Sequence, residues 1–340
     1  QGHGYHGFSV DFHPGVSLEE DLERSDLTNN AIASDHEGRL IDPFGGQADL
    51  EARVIRHVSP AFSEDPLRIL RVARFAARFA SLDFTVHPDT MALMRERVSS
   101  GELSHLVPER VWAEVQKAMG AGQPGKFVEV LRECGALAEL LPEVDALFGV
   151  PQTEKYHPEI DTGIHVMMTM DLAASEGWPE PVIFALLMHD LGKAMTDPGL
   201  LPAHIGHEMN GVPLVREVCE RLRTPNVYRE LAERVCLLHL RCHRVLNMRP
   251  AKIMALIEAA DLLRRPELLQ PFLQACEADY RGRKGLVDRP YPQAARLIAA
   301  HEAVMALQAR DLDMTGLDGK AVGEKLRSAR VEAIAGVMAD

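Results

Sequence analysis

The residues best equipped for chemistry are His189 and Asp190, which follow the apolar run Phe184-Ala185-Leu186-Leu187-Met188 and precede Leu191-Gly192-Lys193. Five apolar residues leading into a vicinal His-Asp pair and a glycine read as a buried helix that delivers two metal-seeking side chains just before it ends. Burying a carboxylate beside an imidazole is unfavourable by roughly several kcal/mol unless a cation or hydrogen bonds compensate. The same residues also suit an ordinary helix C-terminus, with a surface Asp and a His beside the last carbonyls. Histidine spacing favours the first reading. His157, His165, His189, His204, His207, His239 and His243 place 7 of the 15 histidines within 87 of 340 residues. Imidazole is the commonest side-chain ligand for transition metals, and carboxylate completes a mixed N/O site suited to Mn, Fe, Zn or Mg. His204 and His207, three apart, could take a phosphate or a second metal, or belong to a plain polar loop. Lys193 could neutralise the non-bridging oxygens of a phosphate. Cys236, His239, Cys242 and His243 have C-x2-H-x2-C-H order, which lacks the second ligand pair of a zinc finger.

His165 lies in Asp161-Thr162-Gly163-Ile164-His165-Val166, the first turn of a second apolar helix. A His on one helix, His-Asp on the next and a carboxylate from a later helix resemble the HD phosphohydrolase superfamily. That resemblance implies His165, His189 and Asp190 as metal ligands. It leaves the fourth open between Asp279, where a later helix ends, and His239. It also casts His189, Asp190 and Lys193 as the catalytic group. The implied chemistry is hydrolysis, with a divalent metal (Ni, Mn, Mg or Zn) lowering the pKa of a water and aiming it at phosphorus.

A second chemistry is written in Asp65-Pro66-Leu67-Arg68-Ile69-Leu70-Arg71-Val72-Ala73-Arg74-Phe75, with Arg78 beyond. At about 100° per residue the four arginines share one face, opposite Ile69, Val72, Ala73 and Ala76. Guanidinium is a planar, permanently charged fork for phosphate oxygens and base edges. Asp65 beside Arg68 could hold that fork in a fixed plane, giving acceptor and donor together to a nucleobase. A solvated face with intrahelical ion pairs accounts for the same pattern; Arg110 and Glu114 are expected to form one such i,i+4 pair beside the core residue Trp112.

Four spaced segments now converge: Arg24-Ser25-Asp26-Leu27-Thr28-Asn29-Asn30-Ala31, then Ile41-Asp42-Pro43-Phe44-Gly45-Gly46-Gln47-Ala48-Asp49-Leu50, then Asp65 to Phe75, then Pro108-Glu109-Arg110-Val111-Trp112. In this order they resemble the bacterial class II tRNA nucleotidyltransferases, the CCA-adding enzymes. With His157-Pro158-Glu159-Ile160-Asp161 and the His189-Asp190 helix, the resemblance is to the subgroup that carries an HD domain. It implies Asp65 and Arg68 as readers of the CTP or ATP base edge and Arg71 and Arg74 as nucleotide contacts. It further implies Mg for transfer in the full-length protein, the tRNA 3' end as partner, and phosphatase, 2'-nucleotidase and 2',3'-cyclic phosphodiesterase activities. Ser25 stands where the family pattern has an arginine, and Asn29 where it is apolar. The family's Gly-Gly phosphate loop and Asp-x-Asp pair do not occur in the head. The Asp311-Leu312-Asp313 spacing falls near the C-terminus and reads as a surface turn. The chain is therefore expected to lack its N-terminal catalytic segment, to be inactive in transfer on its own, and to retain HD hydrolysis. Two other readings stand beside this one: a non-catalytic tRNA-binding scaffold, and a poly(A) polymerase relative, for which a strongly basic tail and no HD pair would be expected.

The elements that must position these residues are almost all helical. Hydrophobic content of 46% with 26% charged residues reads as globular, and a net charge of -13 argues against indiscriminate nucleic-acid binding. The charge-free stretch from Pro181 to Met188 is too short for a bilayer. Five cysteines without paired spacing suit reduced thiols, hence a cytoplasmic location. The expected fold is mainly α, with a remnant of an α/β nucleotidyltransferase head. It divides into the head remnant (1–56), a helical neck for nucleotide recognition and RNA binding (57–148), an HD domain (149–262) and a helical tail (263–340) that could contribute to the HD site. The head should include strand-like Phe8 to Phe12 and Arg39 to Ile41 and a helix capped by Ser17 and Glu20. Helices are expected over 66–80, 88–98, 108–119, 126–136, 164–176, 181–193, 207–222, 227–241, 250–262, 266–279, 291–309 and 319–337. Gly319 and Lys320 put exposed amides at a helix start, which could meet an RNA phosphate or simply be capped. Monomer and dimer are both compatible with these features.

Overall fold

A computed structural model describes residues 16–339, and within them the chain is mainly α-helical. The strand expected over Phe8 to Phe12 lies outside the described residues. The head portion opens with α1 (Leu18–Glu23), where Ser17 and Glu20 form the expected capping box. Two short strands, β1 (Ala33–Ser34) and β2 (Leu40–Ile41), pair antiparallel, and α2 (Gly46–Glu51) follows. Strand β3 (Val54–Ile55) pairs in parallel with β4 (Thr85–Val86), tying the head to the neck.

The neck comprises α3 (Leu67–Phe79), α4 (Pro88–Ser99), α5 (Pro108–Met119), α6 (Pro124–Glu133), α7 (Ala136–Leu140) and α8 (Pro142–Asp145). Helix α3 lays its apolar face, from Ile69 to Ala77, against α5 and α6. The site-bearing body contains α9 (Thr162–Ser175), α10 (Glu180–Met188), α11 (His207–Leu222) and α12 (Asn226–His243), then α13 (Pro250–Ala259) and α14 (Leu269–Arg281). The tail is α15 (Pro292–Ala306) and α16 (Gly319–Ala339), of which α16 packs on α13 and α15.

Helix α10 is the axis of this body. Its residues Val182 to Met188 are at most 2% exposed, because α9, α12, α14 and the neck helix α5 surround it. Trp112 of α5 meets Phe184 and Tyr228 edge-on at 5.2 and 4.9 Å, so the hydrophobic core runs from α5 to α10 and α12 without a break.

The helix expected over 181–193 ends earlier than its apolar pattern suggested. Regular α-helix stops at Met188, His189 keeps helical angles, Asp190 turns to φ -109°, ψ 9°, and a 3-10 turn spans Leu191–Met195. Packing explains the break: Gly192 lies so close to α11 that an added Cβ would stand 2.0 Å from the His207 carbonyl oxygen. Helix α14 runs two residues beyond the expected end, so Asp279 sits inside its last turn. At the tail, Asp318 accepts a hydrogen bond from the Ala321 amide at 2.8 Å, so the α16 start carries a side-chain cap of its own.

Candidate metal centre

Helices α9, α10, α12 and α14 turn chemistry-bearing side chains toward one buried point, and the start of α11 adds another. Asp161 caps α9 by accepting from the Ile164 amide at 3.0 Å, and His165 then faces inward, fully buried. The end of α10 supplies His189 and Asp190, α14 supplies Asp279, α12 supplies His239 and α11 begins with His207. His165 Nε2 lies 3.0 Å from Asp279 Oδ1 and 4.0 Å from Asp190 Oδ2. His189 Nε2 lies 3.2 Å from Asp190 Oδ2 and 3.7 Å from Asp279 Oδ1. The second oxygen of Asp190 faces the other way: Oδ1 is 3.4 Å from His207 Nε2 and 3.8 Å from His239 Nε2. Asp190 thus bridges two nests, His165/His189/Asp279 on one side and His207/His239 on the other.

The donor set fits a cation. His189 Nε2, Asp190 Oδ1 and His207 Nε2 are buried without a hydrogen-bond partner, and each such atom left unsatisfied costs about 1–3 kcal/mol. Carbonyl acceptors fix the tautomers. His189 Nδ1 meets Leu186 O at 2.6 Å, His207 Nδ1 meets His204 O at 2.7 Å, and His239 Nδ1 meets Val235 O at 3.0 Å. Each Nδ1 must therefore carry the proton, which leaves the Nε2 lone pair directed inward, the arrangement metal-ligating histidines use.

Burial opposes ionisation of Asp190, but His189 and Lys193 outweigh it and hold the carboxyl well below its usual range. Asp279 is likewise held low against burial by His243, His165 and His189. Burial alone would push His189 down, yet the Asp190 and Asp279 carboxylates raise it to about 10. Burial dominates at His239 and pushes it down to about 3. Anionic carboxylates, with the inward nitrogens of His207 and His239 and, once its second proton is displaced, of His189, are what a divalent ion requires.

Lys193 reaches into the same cluster, with Nζ 2.6 Å from Asp190 Oδ2 and 2.5 Å from Gln152 Oε1. A cleft of about 690 Å³ opens above it, lined among others by Tyr156, His157, Lys193, His207, Tyr280 and Arg283. His204 lines this cleft but both of its nitrogens are engaged, Nδ1 with Thr196 Oγ1 at 2.8 Å and Nε2 with Pro151 O at 3.0 Å. The three-residue spacing therefore places only His207 of that pair with the inward-facing ligands. No metal-capable group among the described residues contains a cysteine. Cys236 Sγ meets Glu208 O at 3.7 Å and Cys242 Sγ accepts from the Tyr291 hydroxyl at 3.4 Å, so the Cys/His zinc alternative does not assemble.

Several supporting residues escaped the sequence reading. His243 Nε2 is 2.7 Å from Asp279 Oδ2, and Glu159 Oε1 stands 3.0 Å from His165 Nδ1 and 3.1 Å from His157 Nδ1. His243 lies one helical turn from His239, and that spacing was a signal available for it. Glu159 follows His157 by two, but nothing in the sequence shows which histidine it serves.

The arginine face of α3 is also differently wired from expectation. Arg68 donates to the carbonyls of Ala61 at 2.9 Å and Arg24 at 2.6 Å, while Asp65 accepts from Arg110 at 2.7 Å. Arg71 pairs with Asp26 at 2.5 Å and Arg74 with the buried Glu114 at 2.6 Å. The Asp65–Arg68 and Arg110–Glu114 pairings expected from sequence proximity give way to contacts across helices. A carboxylate on the neighbouring helix meets the guanidinium head-on, whereas neighbours on one helix must bend their side chains along its surface. Asp26, from the Arg24 to Ala31 segment, is thereby locked to α3, and it also accepts from Asn30 at 2.9 Å.

Comparison with known proteins finds three family models along the chain. Family models described as the poly A polymerase head domain, the probable RNA and SrmB- binding site of polymerase A, and the HD domain match residues 6–56, 83–148 and 162–304. The multifunctional CCA protein of Thioalkalivibrio sulfidiphilus is 57% identical over 331 residues, covering 97% of this chain and 81% of that protein. That of Pseudomonas aeruginosa is 52% identical over 333 residues, covering 98% and 81%. In fold, the chain resembles the Bacillus stearothermophilus CCA-adding enzyme in complex with CTP, with a TM-score of 0.62, 23% identity, and coverage of 94% of this chain and 71% of that one. The Thermotoga maritima CCA-adding enzyme complexed with tRNA gives a TM-score of 0.54 at 18% identity, covering 95% and 73%. With more than half of its residues shared over nearly its whole length, the chain belongs to the family of multifunctional CCA proteins, CCA-adding tRNA nucleotidyltransferases that carry an HD domain.

Proposed function

We propose that the buried cluster is a phosphohydrolase centre acting on 2',3'-cyclic phosphates, 2'-nucleotides and simple phosphomonoesters. One observation carries this reading: three buried, unpartnered ligand atoms, His189 Nε2, Asp190 Oδ1 and His207 Nε2, converge beneath a cleft of about 690 Å³. That volume is within the usual range for a nucleotide-sized ligand. His165, His189, Asp190 and Asp279 would hold one divalent cation, and the free face of Asp190 with His207 and His239 would hold a second. A bound divalent cation of the Ni, Mn, Mg or Zn class supplies Lewis acidity and makes water nucleophilic near neutral pH. The chain's own residues do the remainder. His243 and Glu159 keep Asp279 and His165 in position, Lys193 brings positive charge to the cleft floor, and Arg283 brings it to the wall.

The face of α3 is assigned to CTP and ATP, with Asp65 and Arg68 at the base edge and Arg71 and Arg74 as further contacts. Nucleotide binding then requires Asp65 to release or share Arg110, and Arg68 to turn from the carbonyls it holds. The tRNA 3' end is the macromolecular partner, and Mg serves nucleotidyl transfer. The only Asp-x-Asp in the 340 residues, Asp311-Leu312-Asp313, lies on an exposed turn where Asp311 caps Gln308 and Asp313 accepts from Thr315. These 340 residues are accordingly expected not to add CMP or AMP to truncated tRNA by themselves. Five unpaired, buried thiols support a cytoplasmic location, and no described helix is long and apolar enough to cross a membrane.

The test is metal-dependent hydrolysis of a 2',3'-cyclic nucleotide, with metal content measured by mass spectrometry. His189→Ala is expected to lose both; retention of full hydrolysis by this variant refutes the assignment.

A further inference from the structure

Gln152 is a residue whose chemistry none of the preceding roles uses. It lies in the segment joining the neck to α9, and its backbone is clamped. The Gln152 amide donates to Ile160 O at 2.7 Å, Pro151 bridges to Asp161, and Pro151 O accepts from His204. The side chain is only 3% exposed. Lys193 has donors only, so the side-chain atom facing its Nζ at 2.5 Å must be the amide oxygen. The Nε2 group, with two N–H donors, therefore points elsewhere, and it is buried without any partner in the protein.

An orphaned amide donor of this kind costs about 1–3 kcal/mol unless something accepts from it. Gln152 lines the cleft above the cluster together with Lys193, His207, Arg244 and Arg283 and one carboxylate, Glu208, so donors and positive charge predominate there. An acceptor entering there is most favourably an anionic oxygen. We infer that Gln152 is a phosphate-binding residue: its Nε2 donates to a non-bridging oxygen of the phosphoryl group seated in the cleft, while Lys193 holds the amide in that orientation. The inference rests on the phosphohydrolase reading for the identity of the anion.

The experiment uses the whole metal-loaded chain with inorganic phosphate as probe, its affinity followed by calorimetry and by competitive inhibition of ester hydrolysis. Two variants are compared. Gln152→Glu keeps the shape and the contact to Lys193 but replaces both donors with acceptor oxygen; Gln152→Met removes the donors without adding charge. Both are expected to weaken phosphate binding about tenfold or more, the equivalent of one lost hydrogen bond to a charged group, and to raise KM in step. Metal content should stay at the parent level. Phosphate affinity within about twofold of the parent in both variants overturns the inference and leaves hydrolysis standing. Loss of metal in both variants overturns it too, because Gln152 would then act only through Lys193 and Asp190. A parent that binds phosphate, loses that binding on substitution, but hydrolyses no ester upholds Gln152 and sinks the hydrolase reading. A parent that binds no phosphate overturns the inference.

Discussion

The Asp190–Lys193 pair offers a stringent test of the proposed electrostatics in metal-stripped protein. Lys193 Nζ is 2.6 Å from Asp190 Oδ2, with the two side chains 7% and 0% exposed. At an effective dielectric constant near 20, that separation corresponds to about 6 kcal/mol of attraction, much of it offset by desolvation of both ions. Asp190→Asn leaves the ammonium buried with Gln152 as its remaining described partner, and is expected to destabilise the chelated protein by about 3–5 kcal/mol. Lys193→Met leaves the carboxylate with His189 as its neighbouring cation at 3.2 Å and should cost a similar amount or less. The double variant removes both charges, so its loss should be about 1–2 kcal/mol, far less than the sum of the singles. Urea unfolding followed by circular dichroism in excess chelator gives all three values. Singles that each cost under about 1 kcal/mol, or a double variant whose loss equals their sum, would show that the pair is solvated rather than buried and refute the reasoning.

Three further outcomes follow from the geometry. Gly192→Ala must push α11 from the 3-10 turn, because the new methyl meets backbone of His207 and Gly211 at 2.0 and 2.7 Å; metal stoichiometry by mass spectrometry should fall with His207 displaced, and full occupancy would contradict it. Trp112→Ala opens a void between α5, α10 and α12 and should cost about 3–5 kcal/mol in denaturant unfolding. Burial pushes the half-buried Asp171 carboxyl up to about 6, although the Gly125 amide at the α6 start donates to it at 2.7 Å. With a raised folded-state value, its contribution is fully present below the ordinary carboxylate pKa near 4 and is lost as pH rises through 6. Asp171→Asn should therefore gain about 1–2 kcal/mol relative to the parent between pH 4 and pH 8, after discounting for solvent; a gain in the opposite direction would falsify the burial argument.

The sequence was informative wherever chemistry and helix periodicity coincide. The apolar run before His189 reads as a buried helix and is one, and His165 is expected in the first turn of a second apolar helix, although the Asp161 cap and the helix start at Thr162 come only from the structure. The mainly α fold was legible for the same reason, since helices are made by contacts between residues three and four apart. Expected boundaries at Pro108 and Met119 match α5 to the residue because proline and glycine act locally.

Partnerships between helices were not legible in this way. Whether Asp65 would serve Arg68 or Arg110, whether Glu114 would serve Arg110 or Arg74, and which of His204 and His207 would face Asp190 depend on how rigid helices cross. A carboxylate's best partner is the donor that tertiary packing brings head-on, often from forty or more positions away. The sequence by itself determined which side chains were available for metal and phosphate chemistry and on which helices they stand. Only the tertiary structure decided that Asp190 bridges two nests, that His243 and Glu159 support them, and that the Gln152 amide nitrogen is buried without a partner. Local periodicity sets a side chain's direction on its own helix, but burial against other helices selects the neighbour it meets.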